Sequence, residues 1–507
     1  MNEVKAGASL SFLLVFLSNA IRLLYTPFLI RSLGQSEFGL YSLAFATIGY
    51  LSIMDLGFGN AVIRFTSKYR TLKDKNKENN LYGMFIVIYI VLGVLVAISG
   101  TVLYHYSNTM FGDAMSAEEL GKMKILIGLL TFNLAISFPF TVFRSIIVAH
   151  EKFIFSKMIS VFQVIINPLI MIPLLFYGYK SIALIIVMII LNLIVSICNL
   201  LYCKIKIGVS PNFGFFDKTL LKEISGYSFY IFLNGIVDQI YWSTGQFILG
   251  SVGNTLMIAV YSVALTFKGL YFSLSSSFVG VLLPRLTKMV ILKSSIKEIS
   301  NMFIKVGRLQ YLILSYILSI FILFGKKFIE LWAGEDYSES YLMALLIVVP
   351  LTVPLIQNLG IAILQAQNRQ KFRVLSYFVI AIVNVVFSTV LARKYGGLGC
   401  AIVTGLSLLI GNGLIMNIYY YYKIKLDIPS FWKEIFKISV PIIGLFLLFF
   451  IYRYFVSINY TFVNYLSEVS LFSLLFIIVI WSFAMNSFEK NIIKNIIKKM
   501  SIKFSLK

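Results

Sequence analysis

The sequence predicts an all-α membrane protein that crosses the bilayer about fourteen times, because its apolar runs have the length of membrane-spanning helices. Of its 507 residues, 59% are hydrophobic and only 13% are charged, whereas soluble domains carry about 25% charged residues. Apolar runs of about 20 residues recur along the whole chain, and this is the length that spans a bilayer as a helix. The alternating short segments of an outer-membrane barrel do not occur.

The apolar runs predict fourteen spans joined by short connectors. The predicted spans are 9–30, 38–63, 81–104, 122–143, 158–178, 181–203, 224–249, 255–284, 306–324, 341–364, 374–392, 397–420, 438–456 and 464–484. We group them into an N-terminal six-helix lobe, a linker, a C-terminal six-helix lobe, two additional helices and a basic tail. These regions cover residues 1–203, 204–223, 224–420, 421–484 and 485–507.

The distribution of positive charge predicts the orientation. Most of the 44 lysine and arginine residues fall in the connectors of one side, which the positive-inside rule places in the cytoplasm together with both termini. The net charge of +23 therefore reflects membrane topology, and we expect no nucleic-acid partner. The lysines between Lys490 and Lys507 serve either as an interfacial helix on anionic lipid or as a topology signal alone.

Similar short motifs recur about 220 residues apart and indicate an internal repeat. Tyr41–Ala44 followed by Arg64–Thr66 resembles Tyr261–Ala264 followed by Arg285–Thr287. The period corresponds to six spans, and six is even. The two lobes should therefore have the same orientation and be related by an axis along the membrane normal.

Charged side chains inside the predicted spans are the strongest functional signal. Those well away from the ends of their spans are Arg22, Asp55, Asp238 and Lys268. Each costs roughly 2.5–3.5 kcal/mol at the bilayer centre, so we expect them to face a cavity. Asp238 and Lys268 lie at nearly the same predicted depth, within about 3 Å by helix rise. A direct ion pair that only joins two helices is the alternative interpretation for these two residues.

Uncharged polar residues lie on the same helix faces as some of these charges. Asn19 lies on the face of Arg22, and Asn234 and Tyr241 lie on the face of Asp238. Asn167 and Asn384 occupy corresponding positions in the two halves. Each amide is alternatively a hydrogen-bonding contact between helices, which membrane proteins use often.

Prolines inside the spans predict kinks. Pro168 follows Asn167, and Pro350 and Pro354 precede Asn358. A proline leaves a carbonyl without its helical donor, which is useful for bending or for a cation site.

Catalytic and metal-binding motifs are absent from the sequence. There is no phosphate-binding loop, no HExxH and no nucleophile elbow. The three cysteines fall inside predicted spans, and two histidines are too few for a histidine-based metal centre. We therefore predict a protein without a cofactor that is not an enzyme. A transporter of this kind would draw on an ion gradient, the membrane potential or substrate concentration.

Three stretches carry a family resemblance. Leu33–Ser42 is similar to the "LG…FG.YS" signature of bacterial polysaccharide flippases, and Asp55–Ala61 and Leu364–Phe372 resemble other parts of the same family. This O-antigen-type family belongs to the multidrug/oligosaccharidyl-lipid/polysaccharide exporter superfamily. The resemblance implies two six-helix lobes around a central cavity. It also implies translocation of undecaprenyl-diphosphate-linked oligosaccharide across the plasma membrane, for O-antigen or capsule-type polysaccharide assembly.

The resemblance and the polar residues together predict site roles. Arg22, Lys268, Arg31 and Arg64 would bind the anionic headgroup, because a diphosphate needs fixed cations. Asp55 and Asp238 would bind the coupling proton or Na⁺ of an antiporter. Asn19, Asn234, Tyr241, Asn167 and Asn384 would line the cavity and bind sugar. The lipid tail would lie in a groove beside spans thirteen and fourteen, and a polymerase and glycosyltransferases are expected partners.

Three other functions fit parts of the sequence. A multidrug exporter of the same superfamily would favour an acidic, aromatic cavity and twelve spans. A flippase for the peptidoglycan precursor would use almost the same binding chemistry. A scaffold that gathers glycosyltransferases and a polymerase without transport would not depend on charges inside the spans.

Overall fold

The computed structural model consists mostly of helices in the residues that it describes, which are 3–214, 218–292, 294–367, 369–455, 462–491 and 493–495. The prediction of an all-α membrane protein is confirmed, and twelve helices among the described residues are long and apolar enough to span a membrane. The count of fourteen membrane spans stays a prediction. The stretch Lys371–Ile424 counts once although it covers two predicted spans, and Lys218–Val252 is not among the twelve.

Sixteen α-helices follow one another in the described residues. They are α1 Glu3–Leu33, α2 Gln35–Ser52, α3 Phe58–Thr71, α4 Lys75–Phe111, α5 Ala117–Ala149, α6 Phe153–Phe176, α7 Ser181–Tyr202, α8 Lys218–Val252, α9 Thr255–Ile291, α10 Ile296–Trp332, α11 Ser340–Ile356, α12 Asn358–Ala366, α13 Lys371–Leu408, α14 Met416–Tyr419, α15 Ile428–Phe455 and α16 Phe462–Val479. Residues 215–217 of the predicted linker, residue 456 of span thirteen and residues 496–507 of the predicted tail lie outside the described residues.

Two predicted spans are broken inside the membrane. The second span divides into α2 and α3 at the 3₁₀ turn Ile53–Asp55, after which Leu56 and Gly57 adopt left-handed backbone angles with φ of 53° and 73°. Glycine tolerates this conformation without steric cost. The tenth span divides into α11 and α12 at Gln357, about one turn after Pro354 and two turns after Pro350.

The chain folds as two compact units. Unit 1 comprises Met1–Thr266 and Lys371–Ser407, and unit 2 comprises Phe267–Gln370 and Leu408–Lys507. In unit 1, α2 packs closely against α8 and the start of α9. A methyl group at Gly39 would collide with the Thr255 carbonyl oxygen, so only glycine permits this approach. The division into two six-helix lobes stays a prediction.

In unit 2, α15 and α16 pack on α10 to form a three-helix module. Its buried core is rich in phenylalanine and includes Phe324, Phe449 and Phe472. Two arginines, the half-buried Arg453 and the buried Arg308, lie towards the two ends of the module and join all three helical segments. Arg453 donates to Glu468 on α16 and, at 2.9 Å, to the Leu323 carbonyl on α10.

The second arginine, Arg308 on α10, is 3% exposed and reaches both other segments. It donates to Glu434 on α15 at 2.7 Å and to Glu489, just after α16, at 2.7 Å and 3.0 Å. It also donates to the Ala484 carbonyl at 3.0 Å. The guanidinium is therefore fully engaged in binding the two additional helices to α10.

Candidate functional site on the membrane-spanning helices

Arg22 is an exposed cation within the span formed by α1. The exposed leucines Leu13 and Leu24, 48% and 75% accessible, lie roughly 160–180° away from it around the helix. On the face of Arg22, Asn19 is partly buried and Thr26 is buried. Within the described part of the chain Arg22 forms no salt bridge. Its guanidinium is thus exposed on the helix face that also carries Asn19 and Thr26.

The other three predicted headgroup residues occupy different places. Arg31 is exposed in the last turn of α1. Arg64 is exposed on α3, the helix that follows the break in the second span. Lys268 is partly buried on α9 and belongs to unit 2. Arg22, Arg31 and Arg64 all belong to unit 1, and the binding role of all four cations stays a prediction.

Asp55 is located at the break in the second span. Its carboxylate accepts a hydrogen bond from the Tyr89 hydroxyl at 2.6 Å and others from the backbone N–H groups of Gly57 and Gly59. Gly57 immediately precedes α3 and Gly59 lies in its first turn, where N–H groups have no partner inside the helix. Asp55 therefore caps α3 and compensates the positive end of its dipole. Its predicted role in ion coupling stays open.

This capping predicts a specific stability effect. Asp55→Ala should lower the free energy of unfolding by about 1–2 kcal/mol, as removal of a helix cap does. Asp55→Asn keeps an acceptor of the same shape and should cost less than about 1 kcal/mol. Thermal unfolding of the purified variants measures both effects. Equal stability of the alanine variant and the wild type would show that the cap is unimportant.

Asp238 is exposed on α8 and has neighbours that the sequence analysis missed. Asn234 is partly buried and Tyr241 is buried on the same helix. Tyr377 on α13 lies in electrostatic range of Asp238 and Tyr241 and accepts a hydrogen bond from Arg373. The Arg373 Cζ atom is 5.1 Å from the centre of the Tyr377 ring. The four-residue spacing of Arg373 and Tyr377 is a signal that could have identified this pair.

The predicted amides differ in their surroundings. Asn384 is 2% exposed, and its Nδ2 donates to Ser407 Oγ at 3.0 Å, which is the geometry of a contact between helical segments. Asn167 is partly buried, and its Oδ1 has no hydrogen-bond partner among the described residues. On the same helix Gln163 donates to Asn192 at 2.6 Å. Sugar binding by Asn167 and Asn384 stays a prediction.

A polar cluster joins three helices at the predicted outer end of unit 1. Glu119 at the start of α5 accepts from Ser36 on α2 at 2.5 Å and from Thr255 on α9 at 2.7 Å. The Ser36 and Thr255 hydroxyl oxygens are 3.3 Å apart. Beside them Lys122 pairs with the buried Glu37 at 3.2 Å. We call Ser36, Glu37, Glu119, Lys122 and Thr255 the outer-end cluster.

Each unit also contains a large cavity. The cavity in unit 1 has a volume of about 650 Å³ and lies among α2, α4, α8 and α13, with Tyr50 and Thr244 in its wall. The cavity in unit 2 has a volume of about 860 Å³ and lies between α15 and the end of α16. Apolar residues such as Val440 and Phe483 line most of it, and Arg308 and Lys437 line one end.

Comparisons with known proteins identify relatives in sequence and structure. A family model described as "Polysaccharide biosynthesis protein" matches residues 4–290. A protein of Shigella flexneri named as an O-antigen transporter is 23% identical over 401 residues, covering 77% of this chain and 92% of the relative. The fold is similar to the lipid II flippase MurJ in an inward closed conformation, with a TM-score of 0.71, 16% identity and coverage of 92% and 97%. An inward-facing multidrug resistance MATE family transporter of the MOP superfamily gives a TM-score of 0.66, 13% identity and coverage of 83% and 95%.

Proposed function

Because the chain belongs to the polysaccharide biosynthesis protein family, we propose that it moves undecaprenyl-diphosphate-linked oligosaccharide units from the cytoplasmic to the outer leaflet of the bacterial plasma membrane. The family, the O-antigen transporter and the two folds support a multi-pass membrane transporter or flippase. The substrate, its coupling to an ion and the cytoplasmic position of both termini are part of this proposal.

The exposed Arg22 is the observation that carries the proposal. An uncompensated arginine within a span costs several kcal/mol unless it meets water or an anion. A guanidinium binds phosphate oxygens in a bidentate manner, so a lipid diphosphate is a suitable partner. Arg31 on α1 and Arg64 on α3 are further exposed cations of unit 1, and Lys268 on α9 keeps its proposed role in headgroup binding.

The remaining parts of the substrate also have suitable partners. Amide and hydroxyl groups such as those of Asn19, Asn234 and Tyr241 hydrogen-bond sugars. The apolar cavity between α15 and α16 is suited to the lipid tail, since hydrocarbon chains gain free energy from apolar surroundings. A polysaccharide polymerase and glycosyltransferases would act next to the transporter.

We assign transport to alternating access. The outer-end cluster would hold the outer side closed while the headgroup binds from the cytoplasm. Separation of α2 from α9 would then open the site to the outside. A proton or Na⁺ bound at Asp55 or Asp238 would couple the return step to the gradient, since one charge moved through 100 mV gives about 2.3 kcal/mol.

Replacement of the cations tests the proposed headgroup site. Arg22→Ala and Lys268→Ala should each lower surface glycan in a complementation assay by about tenfold, because each removes a charge-assisted bond worth roughly 1.5–3 kcal/mol. Arg22→Lys keeps the charge without the bidentate geometry and should retain part of the activity. Lys327→Ala, at an exposed ion pair with Glu330, is the matched control. Full export by both alanine variants at normal membrane levels would refute the cationic site.

A flippase for the peptidoglycan precursor is the second candidate, because the fold similarity to MurJ covers 92% of the chain. Both substrates carry a lipid diphosphate, so the same cations would serve. Depletion of the protein separates the two functions. Loss of surface glycan from viable cells supports the oligosaccharide flippase, whereas cell lysis supports the precursor flippase.

A further inference from the structure

The cavity in unit 1 is lined mostly by aliphatic and aromatic side chains from α2, α4, α8 and α13. Its volume of about 650 Å³ lies in the range of small-molecule sites, which is roughly 300–1,000 Å³. No charged side chain is among the described residues that line it. A phosphate or a carboxylate would therefore find no counter-charge in this cavity.

The hydroxyl groups in its wall are already bonded within the protein. Thr47, Ser251 and Thr389 donate to backbone carbonyls of their own helices at 2.8, 2.9 and 2.9 Å. The hydroxyls of Tyr50 on α2 and Thr244 on α8 are 2.6 Å apart and share one hydrogen bond. Four of the protons of these five hydroxyls are thus engaged. Such a wall is suited to hydrocarbon, since an apolar cavity stays dry and accepts apolar guests.

The cavity is reached from the bilayer. Ile98 and Val102 on α4 belong to its wall and are 56% and 49% exposed. Both lie in the predicted span 81–104, so the surface around them is in contact with the hydrocarbon of the membrane. Lipid chains are therefore the molecules that meet this opening.

The predicted topology places the cavity in the outer half of the bilayer. Leu103 and Ser251 in its wall lie within about 3 Å, by helix rise, of the predicted outer ends of their spans. The cavity of unit 2 has the opposite depth, because Lys437 and Ala484 lie at the predicted inner ends of spans 438–456 and 464–484. A lipid that moves from the inner to the outer leaflet needs apolar surroundings for its chain at both depths.

We propose that the cavity among α2, α4, α8 and α13 holds the undecaprenyl chain of the substrate when the headgroup reaches the outer side. Because the opening faces the bilayer, the chain then enters the outer leaflet without passing through the protein. The inference deepens the proposed function, on which it rests for the identity of the lipid.

Photo-crosslinking of the full-length protein in native membranes identifies the occupant. A p-benzoylphenylalanine in place of Ile98, at the opening, reacts with C–H bonds within its reach, and mass spectrometry identifies the adducts. The matched control carries the same photoreactive residue in place of Val91, which lies two helical turns earlier on the same face of α4, is 53% exposed and is not part of the wall. The ratio of undecaprenyl to phospholipid adducts should be about tenfold higher at position 98, because the cavity buries methylene-sized groups of the chain. Equal ratios at the two positions, or phospholipid adducts alone at position 98, would overturn the proposal.

Filling the cavity tests its importance for transport. Ser99→Trp and Thr389→Trp place a large ring in the wall and should each lower surface glycan by about tenfold at unchanged membrane levels, because the lost burial of even two methylene groups has this effect. Val91→Trp adds the same ring outside the cavity and should export normally. If the tryptophan variants do not reach the membrane, Ser99→Leu and Thr389→Leu fill part of the space and should reduce export in the same direction. Full export by correctly inserted variants at both positions would also overturn the proposal.

The cavity assignment and the proposed function fail in different ways. Enriched undecaprenyl adducts at position 98 of a protein that exports no glycan would refute the proposed transport and leave the cavity assignment intact. Glycan export that is insensitive to a filled cavity would refute the cavity assignment and leave the proposed transport intact.

Discussion

Oxidation of a Ser36→Cys/Thr255→Cys variant is expected to stop export almost completely, and a reducing agent is expected to restore it. The two hydroxyl oxygens are 3.3 Å apart in the outer-end cluster, which is compatible with the Cβ separation of about 3.5–4.5 Å in a disulfide. The bond would hold α2 against α9 at the predicted outer end. Alternating access requires these helix ends to separate, so a covalent link leaves no route for release of the headgroup.

The experiment needs a background without Cys198, Cys203 and Cys400, all of which are free thiols in the structure. Export is measured as surface glycan before and after oxidation, and loss of thiol labelling confirms the cross-link. Each single cysteine variant shows the effect of oxidant alone. A Ser36→Cys/Glu119→Cys pair, joined by a short bifunctional thiol reagent, links α2 to α5 within the predicted N-terminal lobe and should permit export. Normal export by the cross-linked Ser36/Thr255 variant would exclude movement at this contact.

Arg308→Met should cause the largest loss of stability, about 3–5 kcal/mol. The side chain is 3% exposed and Glu489 is 2% exposed, so the methionine would leave a buried carboxylate without its cation. Breaking a buried ion pair on one side has this magnitude. The Ala484 carbonyl would also lose its donor. Unfolding in mixed SDS micelles, followed by circular dichroism, measures the change.

Replacing both glutamates together with Arg308 distinguishes the effect of a broken ion pair from the effect of lost packing. The triple variant Arg308→Met/Glu434→Gln/Glu489→Leu should recover most of the lost stability, because apolar replacement of a complete buried ion network is often neutral or stabilising. Lys327→Met breaks an exposed ion pair on the same helix and should change stability by less than about 1 kcal/mol. Wild-type stability of the single Arg308 variant would mean that the network does not hold α15 and α16 on α10.

Hydropathy and charge counting placed most helices correctly but misjudged some charged residues. Arg308 was not among the four charged residues singled out within the spans, although it lies in the predicted span 306–324 and is 3% exposed inside a network. Its partners Glu434 and Glu489 are 126 and 181 residues away along the chain. No local sequence pattern indicates that residues so far apart along the chain are in contact. Arg373 was likewise assigned to a connector, although it lies against Tyr377 near Asp238.

The sequence by itself determined the membrane class, the helical fold, the kink near Pro350 and Pro354 and the charged positions within spans. These properties depend on local composition, because the bilayer forces every backbone polar group into internal hydrogen bonds. Only the tertiary structure decided that Asp55 caps α3, that Arg308 and Arg453 secure α15 and α16, and that Tyr50 and Thr244 meet in the wall of an apolar cavity. These features depend on which side chains of different helices are in contact. Long-range packing determines those contacts, and hydropathy does not indicate them.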